Sequence, residues 1–158
     1  MRALIVMDMQ DNLLGDYKKD ELLKNINTEI NRFDKNNVYY IKTIKRVNFL
    51  NRLVKKDKKE ADIKLSDKLS VVNGEVISKD RNNIFSKKDF EKTLKDNKID
   101  ELQIVGIDAC SSVFKSVISA LKCGFKVVVN KNLVGAKSEE KADKLYKKMG
   151  QKGAKILN

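Results

Sequence analysis

The 158-residue sequence contains no histidine, proline or tryptophan, and its only cysteines are Cys110 and Cys123. Without histidine there is no His-ligated metal site and no Ser-His-Asp hydrolase chemistry. Two cysteines make no disulfide framework and fit a reducing cytoplasm, which is the expected location. Arginine is scarce as well: of 34 basic residues five are arginine, leaving 29 lysines. Arginine is the side chain that reads phosphates and bases through paired hydrogen bonds. The net charge of +12 therefore reads as a solvated lysine surface, and no specific nucleic-acid partner is expected. No apolar run approaches the roughly 20 residues of a bilayer span. The first apolar block begins straight after Met1 and Arg2 and runs into the acid Asp8, so neither a secretory signal nor a membrane anchor is expected.

What is present is a hydrophobic fraction of 41% delivered in short blocks, enough for a buried core. The length predicts a single domain over residues 1–158, with a lysine-dense, weakly patterned surface crossover or lid at 44–70. Residues 2–7 read as a buried strand ending at Asp8, and Leu22, Leu23, Ile26, Ile30 and Phe33 carry helical spacing. Val38 to Ile41 reads as a second strand, and residues 75–78, opened by Asn73-Gly74, as a short third. Phe90 and Leu94 mark a helix, followed by a strand that closes near Gly106. A further helix places Val113, Val117, Ile118 and Leu121 on one face and stops at Gly124. Residues 125–129 form a fifth strand, Ser138 opens a last helix, and residues 154–157 form a closing strand. This alternation predicts an α/β domain, a three-layer α/β/α Rossmann-like fold with a mostly parallel six-stranded sheet.

Such sheets bind ligands beyond the carboxyl ends of their strands. That rule nominates Asp8 after strand one, Lys79 after strand three, and the segment from Gly106 to Ser112 after strand four. An acid and a lysine meeting there would supply a base and a cation around a nucleophile at a helix N-terminus. From pattern alone the alternative stays open, in which Asp8 caps the following turn and Lys79 is one more solvated lysine.

These residues resemble the isochorismatase-like cysteine hydrolases, the nicotinamidase/isochorismatase superfamily. Ala3-Leu4-Ile5-Val6-Met7-Asp8-Met9-Gln10-Asp11 is similar to that family's apolar strand followed by Asp-x-Gln. Lys79 with Phe85 six residues later resembles its Lys followed by Ser-Ala-Phe, with Asn83 and Ile84 in place of Ser-Ala. Gly106-Ile107, then an apolar helix ending in Gly124-Phe125-Lys126-Val127, resembles its Gly-Val start and Gly-Tyr-Arg-Val end.

The resemblance implies a catalytic triad of Asp, Lys and Cys, of which Asp8 and Lys79 fill the first two places. Counting from Gly106, the nucleophile's place falls on Ser112, while Cys110 becomes a neighbouring thiol at the position usually held by an acid. The resemblance further implies a cis peptide joining Ile107 to Asp108, an oxyanion hole from the N–H groups of Asp108 and Ser112, and a pocket lined by Gln10 and Phe85. Phe49, Leu50 and Leu53 are candidates to close the pocket from the lid. Nicotinamidases place an Asp/His metal site after strand two, and this chain has no histidine, so no metal or other cofactor is expected. The expected activity is hydrolysis of a small amide or related planar compound by a metal-independent site of the Asp/Lys/Cys type, whose nucleophile position here holds Ser112, a poor nucleophile that can leave this form inactive. Three explanations fit that serine: an engineered exchange, a catalytically silent small-molecule-binding descendant, or a chemistry that needs no thiol, such as vinyl-ether hydrolysis with Asp8 as general acid. A small-molecule substrate is the expected partner, with no membrane partner and a homo-oligomer left open.

Overall fold

A computed structural model describes residues 1–44 and 64–158 of the chain. Strand β1 (Arg2–Met7) is buried from Ala3 onward and turns Ala3, Ile5 and Met7 to one face of the sheet and Leu4 and Val6 to the other. A strand that is apolar on both faces belongs in the middle of a parallel sheet covered by helices. Around it lie β2 (Val38–Thr43), β3 (Val76–Lys79), β4 (Glu101–Ile107), β5 (Lys126–Asn130) and β7 (Lys155–Leu157), in the spatial order β3-β2-β1-β4-β5-β7. Every pairing is parallel. These are the six expected strands. A two-residue β6 (Val134–Gly135) also pairs with the end of β4, and a pair of residues is too short to leave a periodic signal in sequence.

Helix α1 (Lys19–Ile30) lays Leu22, Leu23, Ile26 and Ile30 on the face that carries Leu4, Val6, Tyr40 and Val105. Helices α2 (Lys88–Asp96), α3 (Phe114–Lys122) and α4 (Glu139–Gln151) cover the other face through Phe90, Leu94, Val117, Ala120, Tyr146 and Met149. Each large apolar side chain removed from water there contributes about 1.5 to 3 kcal/mol. On α3 the buried stripe runs through Ser116, Val117 and Ala120, while Ile118 and Leu121 are only half-buried. Ser116 can take an apolar place because its hydroxyl accepts a hydrogen bond from the Ile84 N–H at 3.3 Å. None of the described helices is long and apolar enough to cross a membrane.

The described end of the expected lid is docked. Ser66 N–H donates to the Met9 carbonyl at 2.8 Å, and Leu69 is buried. The Asn27 amide brackets the same segment, donating to the Lys68 carbonyl and accepting from the Ser70 N–H, both at 2.8 Å. Phe49, Leu50 and Leu53 lie outside the described residues.

The chain winds from β1 outward to β3, then returns to the far side of β1 as β4. The strand order therefore reverses between β1 and β4, the point at whose carboxyl ends sheets of this kind hold their ligands. Closure at that point depends on Gly106, which pairs with Met7 and has φ +108°. A Cβ at this position would overlap the Met7 carbonyl. Gly106→Ala is expected to destabilise the protein by roughly 2 to 4 kcal/mol, the sum of a left-handed backbone penalty and a backbone clash. Denaturant titration checks this, and an unchanged midpoint would contradict the closeness of β1 and β4.

Candidate active site

Asp8 follows the last residue of β1 with φ +55°, a left-handed conformation that aspartate tolerates better than most residues. Its N–H is tied to the Ile41 carbonyl at 2.8 Å, so its placement is shared between β1 and β2. Lys79 closes β3 and has none of its side chain exposed, which removes the reading of it as a solvated lysine. A buried ammonium has to be met by charge and acceptors. Its Nζ donates to Asp8 Oδ2 at 2.7 Å, to Thr43 Oγ1 at 2.5 Å and to Ser112 Oγ at 3.2 Å. The Thr43 hydroxyl in turn donates to Asp8 Oδ1 at 2.8 Å. No buried side-chain nitrogen or oxygen among the described residues lacks a partner.

Ser112 arrives from β4 through a π-helical turn, Ala109–Val113, that leads into α3. The Ile107–Asp108 peptide bond before this turn is cis, as the resemblance implies. Asp108 also caps the turn, its Oδ1 accepting from the Cys110 N–H at 2.7 Å. The structure thus joins Asp8, Lys79 and Ser112, three residues far apart in sequence, in one buried hydrogen-bonded group.

Gln10 is fully buried next to this group. Its Oε1 accepts from the Thr43 N–H at 2.7 Å and its Nε2 donates to the Thr43 carbonyl at 3.1 Å. Phe85 is half-buried, with ring contacts to Phe90 at 5.5 Å and Phe125 at 5.9 Å. Asn83, which stands where the resemblance expects serine, accepts from the Phe85 N–H at 3.0 Å and donates to Ser119 Oγ at 2.9 Å, tying the loop to α3.

Thr43 is the residue that sequence reading misses. Judged by its apolar block, the second strand ends at Ile41, yet the pairing continues through Lys42↔Ser78 to Thr43↔Lys79. That register sets the two side chains abreast on neighbouring strands. Extending the strand-end rule by two residues would have found it.

A surface groove of about 390 Å³ lies at the opposite end of the sheet, lined by Glu101, Phe125, Lys126 and Lys155 among others, and includes none of Asp8, Thr43, Lys79 and Ser112. Among the described residues no cluster of three or more His, Cys, Asp or Glu side chains could hold a metal ion. The donor set does not fit a zinc site.

The isochorismatase domain family matches residues 2–158. Solved structures share the fold. The pyrazinamidase of Pyrococcus horikoshii, solved in complex with zinc, has TM-score 0.77 at 20% identity and covers 99% of this chain and 98% of that one. Nicotinamidase from Bacillus subtilis has TM-score 0.79 at 19% identity, covering 99% of each chain. An isochorismatase-like hydrolase from Alkaliphilus metalliredigens has TM-score 0.78 at 18% identity, covering 99% of this chain and 93% of that one. At these identities the likeness carries the fold alone. No curated protein matches significantly.

Neither native thiol has an activating environment. Burial pushes the Cys110 thiol up, the Asp108 carboxylate adds to this, and Lys141 offsets only part. Burial also raises Cys123, reinforced by a hydrogen bond and charge from Glu91. Thiolate is the reactive form, so a raised pKa moves the rise in reactivity to higher pH. Iodoacetamide labelling followed by mass spectrometry is expected to show both thiols reacting slowly near neutral pH, with rates climbing only above about pH 8.5, the ordinary thiol value. Rapid labelling of Cys110 at pH 7 would make it the nucleophile and shift the site by two residues.

Proposed function

The chain belongs to the isochorismatase domain family, and from that premise we propose that it carries a hydrolase site of the Asp/Lys/Cys type, acting on a small amide or related planar compound, with serine at the nucleophile position. The observation that carries this reading is the buried Lys79 ammonium, which bridges the Asp8 carboxylate and the Ser112 oxygen. A lysine fully removed from water is costly as a structural element, whereas a cation between a base and a nucleophile is useful chemistry. The zinc of the Pyrococcus structure has no counterpart in this reading, because the chain has no histidine and the described residues offer no cluster of three or more Cys, Asp or Glu side chains to hold it.

In this reading Asp8 shuttles the proton, Lys79 holds and polarises the group, and residue 112 attacks the carbonyl carbon. The N–H groups of Asp108 and Ser112 are assigned to the developing oxyanion, and Gln10 and Phe85 to the walls of the pocket. With a thiol at position 112, the sulfur gives its proton to Asp8, forms the C–S bond and expels the amine, which leaves with that proton. Water then cleaves the thioester.

Serine changes the energetics. A thiol ionises near about 8.5, within reach of a neighbouring ammonium, while a serine hydroxyl lies far above any such range. The Ser112 oxygen accepts from Lys79, a contact that polarises the hydroxyl without bringing its ionisation into range. This favours slow or absent turnover in the Ser112 protein, with small-molecule binding as the second reading.

Ser112→Cys is expected to raise hydrolysis of a panel of small aliphatic and aromatic amides by at least about 100-fold over the parent. Amine release measured for both proteins, with Cys110→Ala as control, checks this. A thiol at position 112 that is alkylated at ordinary rates and turns over nothing would replace the hydrolase reading with the binding one. Activity lost through Cys110→Ala and indifferent to residue 112 would overturn the register.

A further inference from the structure

We infer that Thr43 is a positioning residue, whose hydroxyl fixes the direction in which Lys79 presents a proton to residue 112. The inference deepens the hydrolase reading and rests on it for its catalytic meaning, while its structural content stands on the hydrogen bonds alone.

The proton count decides the geometry. An ammonium has three N–H bonds and accepts nothing. Lys79 spends one on Asp8 Oδ2, one on Thr43 Oγ1 and one on Ser112 Oγ. The Thr43 hydroxyl has a single proton, and since Lys79 can only donate, that proton belongs to Asp8 Oδ1 at 2.8 Å. Lysine, aspartate and threonine thus close a ring in which every donor has one acceptor. Two of the three ammonium protons are fixed by the ring, and rotation about the Cε–Nζ bond is stopped with the third aimed at residue 112.

Thr43 is itself held from both sides of its peptide. Gln10 bonds its N–H and its carbonyl, and the Ile44 N–H bonds the Lys79 carbonyl at 2.8 Å. The fully buried Gln10 therefore acts on the site through Thr43, in addition to any contact with a ligand. Without the hydroxyl, the ammonium is left with an unpaired N–H in a buried site and Asp8 with an unpaired oxygen. The ammonium is then free to turn toward Asp8 with two protons, which weakens its hold on position 112.

The contrast that isolates the hydroxyl is Thr43→Val against Thr43→Ser; should the valine protein not fold, Thr43→Ala against Thr43→Ser carries the same difference. The first readout needs no activity. In ¹⁵N-lysine-labelled protein, the buried ammonium is expected as a slowly exchanging signal, identified by its loss in Lys79→Met. Thr43→Val should shift this signal and speed its exchange by about tenfold, and Thr43→Ser should restore both. A signal unchanged by loss of the hydroxyl in a folded protein overturns the inference.

The second readout uses Ser112→Cys. Alkylation of the introduced thiol as a function of pH should move to higher pH with Thr43→Val and return with Thr43→Ser, a pattern that loss of packing alone would not produce. An introduced thiol whose profile ignores the Thr43 hydroxyl, while the ammonium signal responds, would limit Thr43 to ordering the ion pair and overturn its reach to residue 112. If the ammonium signal responds but the introduced thiol is never activated, even with Thr43 intact, the hydrolase reading fails and the positioning of Lys79 stands.

Discussion

A lysine ammonium with none of its surface in water sets the terms for this end of the molecule. Removing such a charge from solvent costs several kcal/mol unless it is paired and fully hydrogen-bonded. Lys79 meets that condition through residues delivered by three other strands: Asp8 from β1, Thr43 from β2 and Ser112 from the turn after β4. The arrangement depends on backbone features away from the charge itself. Gly106 lets β1 and β4 close at their carboxyl ends, and Asp8 adopts a left-handed conformation that turns its carboxylate to the ammonium. The same strand-order reversal that opens a crevice in any sheet of this kind collects the four residues.

Within that group, oxygen and sulfur at position 112 have different consequences. A thiol next to an ammonium is a thiolate waiting to form, and the acid that holds the ammonium is the natural acceptor of its proton. A hydroxyl in the same place is a hydrogen-bond acceptor with its proton retained. The nearby Cys110 does not compensate, because it sits in the turn beside the Asp108 carboxylate and burial works against its ionisation. In the proposed reading, the difference between an active hydrolase and a binding site is therefore concentrated in one atom of residue 112.

Much of this architecture is legible in the sequence, for identifiable reasons. The strands show as apolar blocks because both faces of a covered parallel sheet are buried, and the helices show through the spacing of residues such as Leu22, Ile26 and Ile30. Asp8 and Lys79 can be nominated because they sit where apolar blocks end. Thr43 escapes notice because the last residues of β2, Lys42 and Thr43, are polar, and only pairing with β3 reveals that the strand continues. The burial of Ser116 is hidden in the same way, since its apolar surroundings depend on a hydrogen bond from a distant loop. Sequence patterns report which residues dislike water; they are silent on polar residues whose partners are supplied by the fold.

In the proposed reading the Asp8–Lys79 pair is kept for chemistry and contributes little to holding the fold together. Denaturation free energies of Asp8→Asn, Lys79→Met and the double variant test it directly. Each single change leaves a buried group without its partner and is expected to cost about 3 to 5 kcal/mol. The double variant is expected to recover to within about 1 kcal/mol of the parent, as buried ion pairs replaced by neutral groups of similar volume commonly do. A double variant as unstable as the sum of the two single changes would make the pair a structural element and contradict the account.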